Sequence, residues 1–292
     1  MGTTTGTLRQ GPTTVRAVRG GGGLRLHVRE WGRPDGRPVL FLHGWSQSHL
    51  CWAKQYHSAL AQEFRLVASD LRGHGMLEAP PEPGALHQRP AVGRRPGGDH
   101  RPARPGPAGA GRLVLRRLHH LRLPARPRYG PARPAGRRRR GHDAGRGGVG
   151  TLIGPDFLDN VPDATANNPP TNIRGMRALV QAFPAKPLPP EEVESLLGSS
   201  MTVPAPIRAS LQAREINGDD VLRTLRMAVL VSHGRADTVI LPAMAEHILA
   251  TSPVAEPSWY DGVGHTTFLE DPDRFNHELA ALTRRVTSPS PA

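Results

Sequence analysis

The sequence predicts an α/β fold: a mainly parallel sheet with helices on both faces and a helical cap inserted into it. Three observations carry that expectation. Short continuous apolar runs such as "RPVLFL", "RLVAS" and "AVLVSHG" each pass directly into a loop, the pattern of parallel strands buried on both faces. Segments of helical period alternate with these runs, as crossover units require. A block of consecutive helical segments without strands then interrupts the series, as an inserted cap would. At 292 residues the chain is long enough to bury a core of this kind as one domain with an insertion.

The elements follow in order. "TTVRAVRG" and "GGGLRLHVREWG" predict two antiparallel strands joined by a Gly-rich turn. "RPVLFLHGW" is a buried strand. "WAKQYHSALAQEF" has helical spacing through Trp52, Tyr56, Leu60 and Phe64, and "RLVASD" is the next strand. After a long break, "TNIRGMRALVQAF", "PPEEVESLLGSS" and "APIRASLQAREI" predict three helices, the second opened by Pro and acidic residues that suit a helix N-terminus. They lie between Asp156 and Ile216 and form the expected cap. "MAVLVSHGRAD" is again a buried strand, "PAMAEHILATS" a helix with Pro in its first turn, "AEPSWYDGVGH" a short strand and loop, and "DPDRFNHELAALTRRV" a closing helix.

The break in the series is compositional. Residues 84–147 hold 17 Arg and 9 Pro against 2 Asp, with no Lys and no Glu, a local charge of +15 in a chain whose net charge is +13. The remainder of the chain is therefore close to neutral. Such a segment offers no periodic apolar face and is expected to be irregular. The expected organisation is an N-terminal part of the core at 1–83, the Arg/Pro/Gly-rich segment at 84–147, a helical cap at 148–216 and the C-terminal part of the core at 217–292. Since the basic excess is local, no nucleic-acid partner is expected of the fold itself. Cys51 is alone, so no internal disulfide forms, and no run of about 18 apolar residues suggests a membrane span. The expected setting is cytoplasmic, without a membrane partner. No His pair with metal-ligand spacing occurs beside a carboxylate, so no metal site is expected.

Four strings carry chemistry: "LHGW" (Leu42 to Trp45), "SDLRGHGM" (Ser69 to Met76), "GRADTVILP" (Gly234 to Pro242) and "GVGHTTFLEDP" (Gly262 to Pro272). Together they resemble the α/β-hydrolase family, above all the cofactor-free esterases and the non-haem haloperoxidases. The resemblance covers both flanks of the chain. It implies that His43, Gly44 and Trp45 form the oxyanion turn, with the Trp45 N–H supplying half of the hole, that Asp237 is the triad acid and that His265 is the base. It implies no cofactor and a small-molecule substrate. The residue types suit the chemistry, because a base working near neutral pH is best met by His, and a carboxylate fixes its tautomer. Asp70 and His74 are read as structural loop residues.

The family places its nucleophile on a Gly-x-Ser-x-Gly turn upstream of acid and base. No such string exists, and Ser is absent between Ser69 and Ser195. The excess of Arg, Pro, Gly and Ala in 84–147 is what a shifted reading of GC-rich DNA gives. Gly111 to Leu121 can be encoded so that, read one base later, the same bases give Ala-Gly-Trp-Ser-Tyr-Gly-Gly-Phe-Ile-Ile. The serine then straddles the codons of Val114 and Leu115. Upstream, the same shift allows an amphipathic helix and a strand leading into the turn. The expected function is thus that of a serine hydrolase acting on carboxylic esters, with this copy impaired by loss of its nucleophile. An epoxide hydrolase would need Asp at that turn. The competing expectation is a non-catalytic protein that binds polyanions or nucleic acid through the Arg-rich segment. That segment lacks the interleaved aromatics of single-strand readers, Tyr129 alone excepted.

Overall fold

The computed structural model describes residues 12–19, 25–75, 152–213 and 218–287. The expectation of an irregular segment at 84–147, with Val114 and Leu115 inside it, lies outside the described residues, as do the Gly-rich turn after the first strand and the end of the third cap helix.

Strands β1 (Thr14–Arg19) and β2 (Arg25–Gly32) pair antiparallel, with Thr14 opposite Glu30. Strand β3 (Arg37–Leu42) runs parallel to β4 (Phe64–Ser69), and β4 also pairs antiparallel with β2, so the first sheet has the order β1-β2-β4-β3. A second sheet is formed by β5 (Val229–Gly234) and β6 (Ala255–Tyr260) in parallel register, Gly234 opposite Tyr260. Parallel pairing thus governs the strands nearest the candidate site, and antiparallel pairing the N-terminal edge.

In β3, Val39 and Phe41 are buried. The predicted burial of β5 is corrected. Its residues up to His233 are only half-buried.

The single helix expected across Trp52 to Phe64 is also corrected. A 3₁₀ turn (His49–Trp52) leads into α1 (Ala53–Tyr56), and α2 (Leu60–Glu63) follows after a break. Ser58 makes the break. Its hydroxyl donates to Gln55 O at 2.6 Å and accepts from Leu60 N–H at 3.2 Å, ending one turn and capping the next, as Ser side chains do when they compete with the helix ladder.

The cap contains four helices rather than the three expected: α3 (Pro155–Ala164), α4 (Pro169–Ala182), α5 (Pro190–Met201) and α6 (Ala205–Gln212). Each carries Pro at its first turn, where the missing N–H costs nothing. Helix α3 also tolerates Pro162 near its C-terminal end. Helices α7 (Asp219–Thr224) and α8 (Pro242–Thr251), a turn α9 (Thr267–Glu270) and the closing α10 (Pro272–Thr287) complete the C-terminal part.

Two bodies of packing join the sheets. Leu279 and Ala280 of α10 enter the core of the first sheet beside Phe64 and Leu66. Leu179 and Phe183 of the cap pack with Val239 and Leu269, which flank the loops after β5 and β6. No helix among the described residues is long and apolar enough to cross a membrane.

Candidate active site

Strands β3, β4, β5 and β6 all run into loops at their C-terminal ends, the edge where parallel sheets present ligand sites. The residues predicted to carry chemistry lie on three of these loops.

After β5 the chain turns at Asp237, which is 4 % exposed. Its Oδ1 accepts the N–H groups of Val239 at 2.8 Å and Ile240 at 2.9 Å, and Oδ2 accepts from Nδ1 of His265 at 2.9 Å. The backbone bonds fix the carboxylate, and the carboxylate fixes the ring. With Nδ1 as donor, Nε2 is the basic nitrogen of His265. The His265 side chain remains about one-third exposed, at 34 %. Its backbone N–H donates to Phe183 O at 2.6 Å, at the end of α4. A second imidazole, His233, lies 3.3 Å from Oδ2 of Asp237. Its Nε2 donates to Ile240 O at 3.0 Å, and burial holds its pKa below the usual value, so it serves as a neutral brace.

The loops after β5 and β6 meet backbone to backbone. A Cβ on Gly234 would lie 2.0 Å from Gly264 O, and one on Gly264 would lie 2.6 Å from both Phe183 O and Ala185 N. No larger residue fits at either position without moving acid, base or cap. Glu270, which sequence reasoning missed, holds the crossing. Its carboxylate accepts from Gly264 N–H at 3.0 Å, Thr266 N–H at 3.2 Å and Ala185 N–H at 2.7 Å. The signal available was its place five residues after His265, on the first turn following the loop.

After β3 comes the oxyanion turn. His43 is 1 % exposed. Its Nε2 accepts the Leu71 N–H at 2.8 Å, so Nδ1 carries the proton and donates to Gly44 O at 2.8 Å. A trans peptide points its C=O and N–H in opposite directions; with the Gly44 carbonyl drawn to His43, the Trp45 N–H faces the other way. That N–H makes no backbone hydrogen bond among the described residues. Ser46 follows at φ 55°, and its N–H donates to Nε2 of His74 at 3.1 Å. The positive φ turns consecutive N–H groups in different directions at the cost of local strain.

The loop after β4 braces this turn. Asp70 is buried, and its Oδ1 accepts from the N–H and Nδ1 of His49 at 2.7 and 2.9 Å. Burial opposes the charge, but the His49 hydrogen bonds prevail and hold the Asp70 pKa at about 2.

Three consecutive turn residues also reach the cap. Trp45 Nε1 donates to Arg208 O at 3.2 Å, Ser46 Oγ to Ser200 O at 3.2 Å, and Gln47 Nε2 to Ser200 Oγ at 2.9 Å. None of the three cap contacts was legible from spacing. Asp237 and His265 are therefore brought together, while His43, Gly44 and Trp45 form a separately braced turn. The expected nucleophile position near Val114 and Leu115 lies outside the described residues. Among the described residues no Ser, Thr or Cys side chain is hydrogen-bonded to His265. Cys51 is fully buried, and desolvation pushes its thiol well above the usual range, which leaves it inert as a thiolate.

Comparison with known proteins meets this geometry at the level of the family. Residues 39–278 match the model of the alpha/beta hydrolase family. The chain belongs to that family. Among solved structures, this family member resembles an esterase from Rhodococcus sp. ECU1013, with a TM-score of 0.67 and 24 % identity, over 93 % of this chain and 99 % of the other. It also resembles a bromoperoxidase from Bacillus anthracis, with a TM-score of 0.60 and 13 % identity, over 93 % and 100 % of the two chains. Both likenesses concern the fold. Sequence similarity to curated relatives is much shorter. A non-heme chloroperoxidase from Streptomyces lividans is 40 % identical over 58 residues, 20 % of this chain and 21 % of the relative. An epoxide hydrolase from Siraitia grosvenorii is 37 % identical over 71 residues, 24 % of this chain and 22 % of the relative. The alignments with these curated relatives thus span about a fifth of their length.

Proposed function

We propose that this alpha/beta hydrolase is a serine hydrolase of small carboxylic esters by descent, and that the present chain has lost its nucleophile to a shifted reading frame across residues 84–147. The observation that carries the reading is the Asp237–His265 pair at 2.9 Å, on loops at the same edge of the fold as the Trp45 turn. In that reading Asp237 orients the ring, Nε2 of His265 takes the proton of a serine hydroxyl as it attacks the ester carbonyl, and the Trp45 N–H receives the developing oxyanion. The second oxyanion donor and the serine belong to the segment that the frameshift removes. A restored segment would contribute a Gly-Trp-Ser-Tyr-Gly turn, which favours esters over epoxides because the nucleophile is Ser rather than Asp.

Two measurements test this. The nucleotide sequence should contain a single-base insertion near codon 84 and a compensating deletion near codon 147. With the frame restored, the protein should hydrolyse p-nitrophenyl acetate, and His265→Ala should abolish that activity, while the chain as written stays near background. Turnover by the unrestored chain at ordinary enzyme rates would place the nucleophile elsewhere. The rival reading, polyanion binding, draws on the 17 Arg of residues 84–147. It requires an affinity for heparin that falls steeply with salt and disappears when the frame is restored.

A further inference from the structure

Arg208 of α6 is 1 % exposed and has no carboxylate within ion-pair distance among the described residues. The exposed arginines of the same cap do the opposite. Arg174 pairs with Asp163 and Arg177 with Glu194, where solvent makes such pairs worth little. An unpaired guanidinium in the interior is costly, and desolvation lowers the Arg208 pKa to about 10. Its donors are also underused. Of the five N–H groups of a guanidinium, one reaches Asn172 Oδ1 and another only the weak acceptor Sδ of Met201 at 3.7 Å, while Nε is buried without any partner.

The partners that do exist look like a mount. Asn172 Nδ2 donates to Ala164 O at 3.1 Å and Ala166 O at 2.8 Å, which fixes its amide with Oδ1 toward Arg208. The carbonyl of Arg208 accepts the indole N–H of Trp45 at 3.2 Å, so the same residue is tied to the oxyanion turn. Met201 and Trp45 both pack against the cluster that contains Val239, two residues beyond Asp237. The guanidinium is held within the cap by Asn172 and Met201, on the helix whose backbone ties the cap to the oxyanion turn.

We infer that Arg208 anchors a site for a carboxylate-bearing small molecule, between the cap and the oxyanion turn, the ligand supplying the missing counter-charge. A carboxylate matches the unused donors of the fork, which donate to its two oxygens side by side. The inference rests on the reading of this region as the substrate site and narrows the substrates to esters whose molecule also carries a carboxylate.

The test uses the intact chain and reads binding without turnover. Benzoate is titrated against thermal unfolding at constant ionic strength, with benzamide as the neutral control of the same shape. Saturating benzoate should raise the midpoint by roughly 5 °C, and benzamide should leave it unchanged. Arg208→Met should remove the benzoate effect. Met201→Glu, which places a carboxylate beside the guanidinium, should raise the midpoint and also remove the benzoate effect. A benzoate shift that is absent in the parent chain, matched by benzamide, or retained in either variant overturns the inference; if Arg208→Met does not fold, Met201→Glu decides. Benzoate binding without ester hydrolysis by the frame-restored protein would sink the hydrolase reading alone. Hydrolysis of neutral esters with no benzoate effect would sink this one alone.

Discussion

Four imidazoles, His43, His74, His233 and His265, sit at the C-terminal ends of the strands, and their partners give each a different task. His43 and His74 accept backbone N–H groups on Nε2 and are thereby committed to the backbone. His233 donates to a carbonyl. His265 has its Nδ1 on a buried carboxylate and so keeps Nε2 for chemistry. The family strings made Asp237 and His265 legible in the sequence, but spacing cannot say which nitrogen a neighbour occupies. For the same reason Ser200 was invisible, since its partners Ser46 and Gln47 lie on a distant element, and of the Glu270 partners only Ala185 is as remote. Asp237→Ala should leave the Val239 and Ile240 N–H groups without their acceptor and cost about 2 kcal/mol, measured as a lower urea midpoint. Asp70 gives a pH prediction. Its folded pKa of about 2 lies below the ordinary 3.8, so its stabilisation is present above the unfolded value and lost as pH falls from about 4 through 2, where protonation removes the His49 bonds. Unfolding free energy followed from pH 5 to pH 2 should fall by roughly 2 kcal/mol more in the parent than in Asp70→Asn. Parallel curves would show that Asp70 is not so depressed.

Among the elements, strands were easier to read than helices. Val39, Phe41, Leu66 and Ala68 are buried on β3 and β4, so a continuous apolar run was sufficient signal. The helix expected at Trp52 to Phe64 has the right period, yet one hydroxyl divides it, and period alone does not register a side chain that bonds its own backbone. Ser58→Ala should cost 0.5–2 kcal/mol, about what losing a cap costs, with the denaturant slope unchanged; a neutral variant would mean that packing, not Ser58, sets the break. Pro162 in the sequence argues against helix α3, although near its C-terminal end it displaces few backbone bonds. The half-buried state of β5 is the most telling difference. Its sequence, Val229 to Ser232, is that of a strand covered on both sides, while its residues up to His233 are half-buried.

At the scale of the whole molecule, α10 packs on the first sheet and binds the second through Glu278, while the cap is tied in by the Phe183–His265 backbone bond and by the contacts of Trp45, Ser46 and Gln47. The family was legible because its motifs lie on both flanks. In the proposed reading, what the chain does with them depends on residues 84–147, where composition replaces pattern. A fluorophosphonate probe, which labels a serine only when a base activates it beside an oxyanion hole, addresses that dependence most directly. Mass measurement of the intact protein after probe treatment should give one adduct on the frame-restored chain, none on its His265→Ala variant and none on the chain as written. An adduct on the chain as written, or none on the restored chain, would contradict the account.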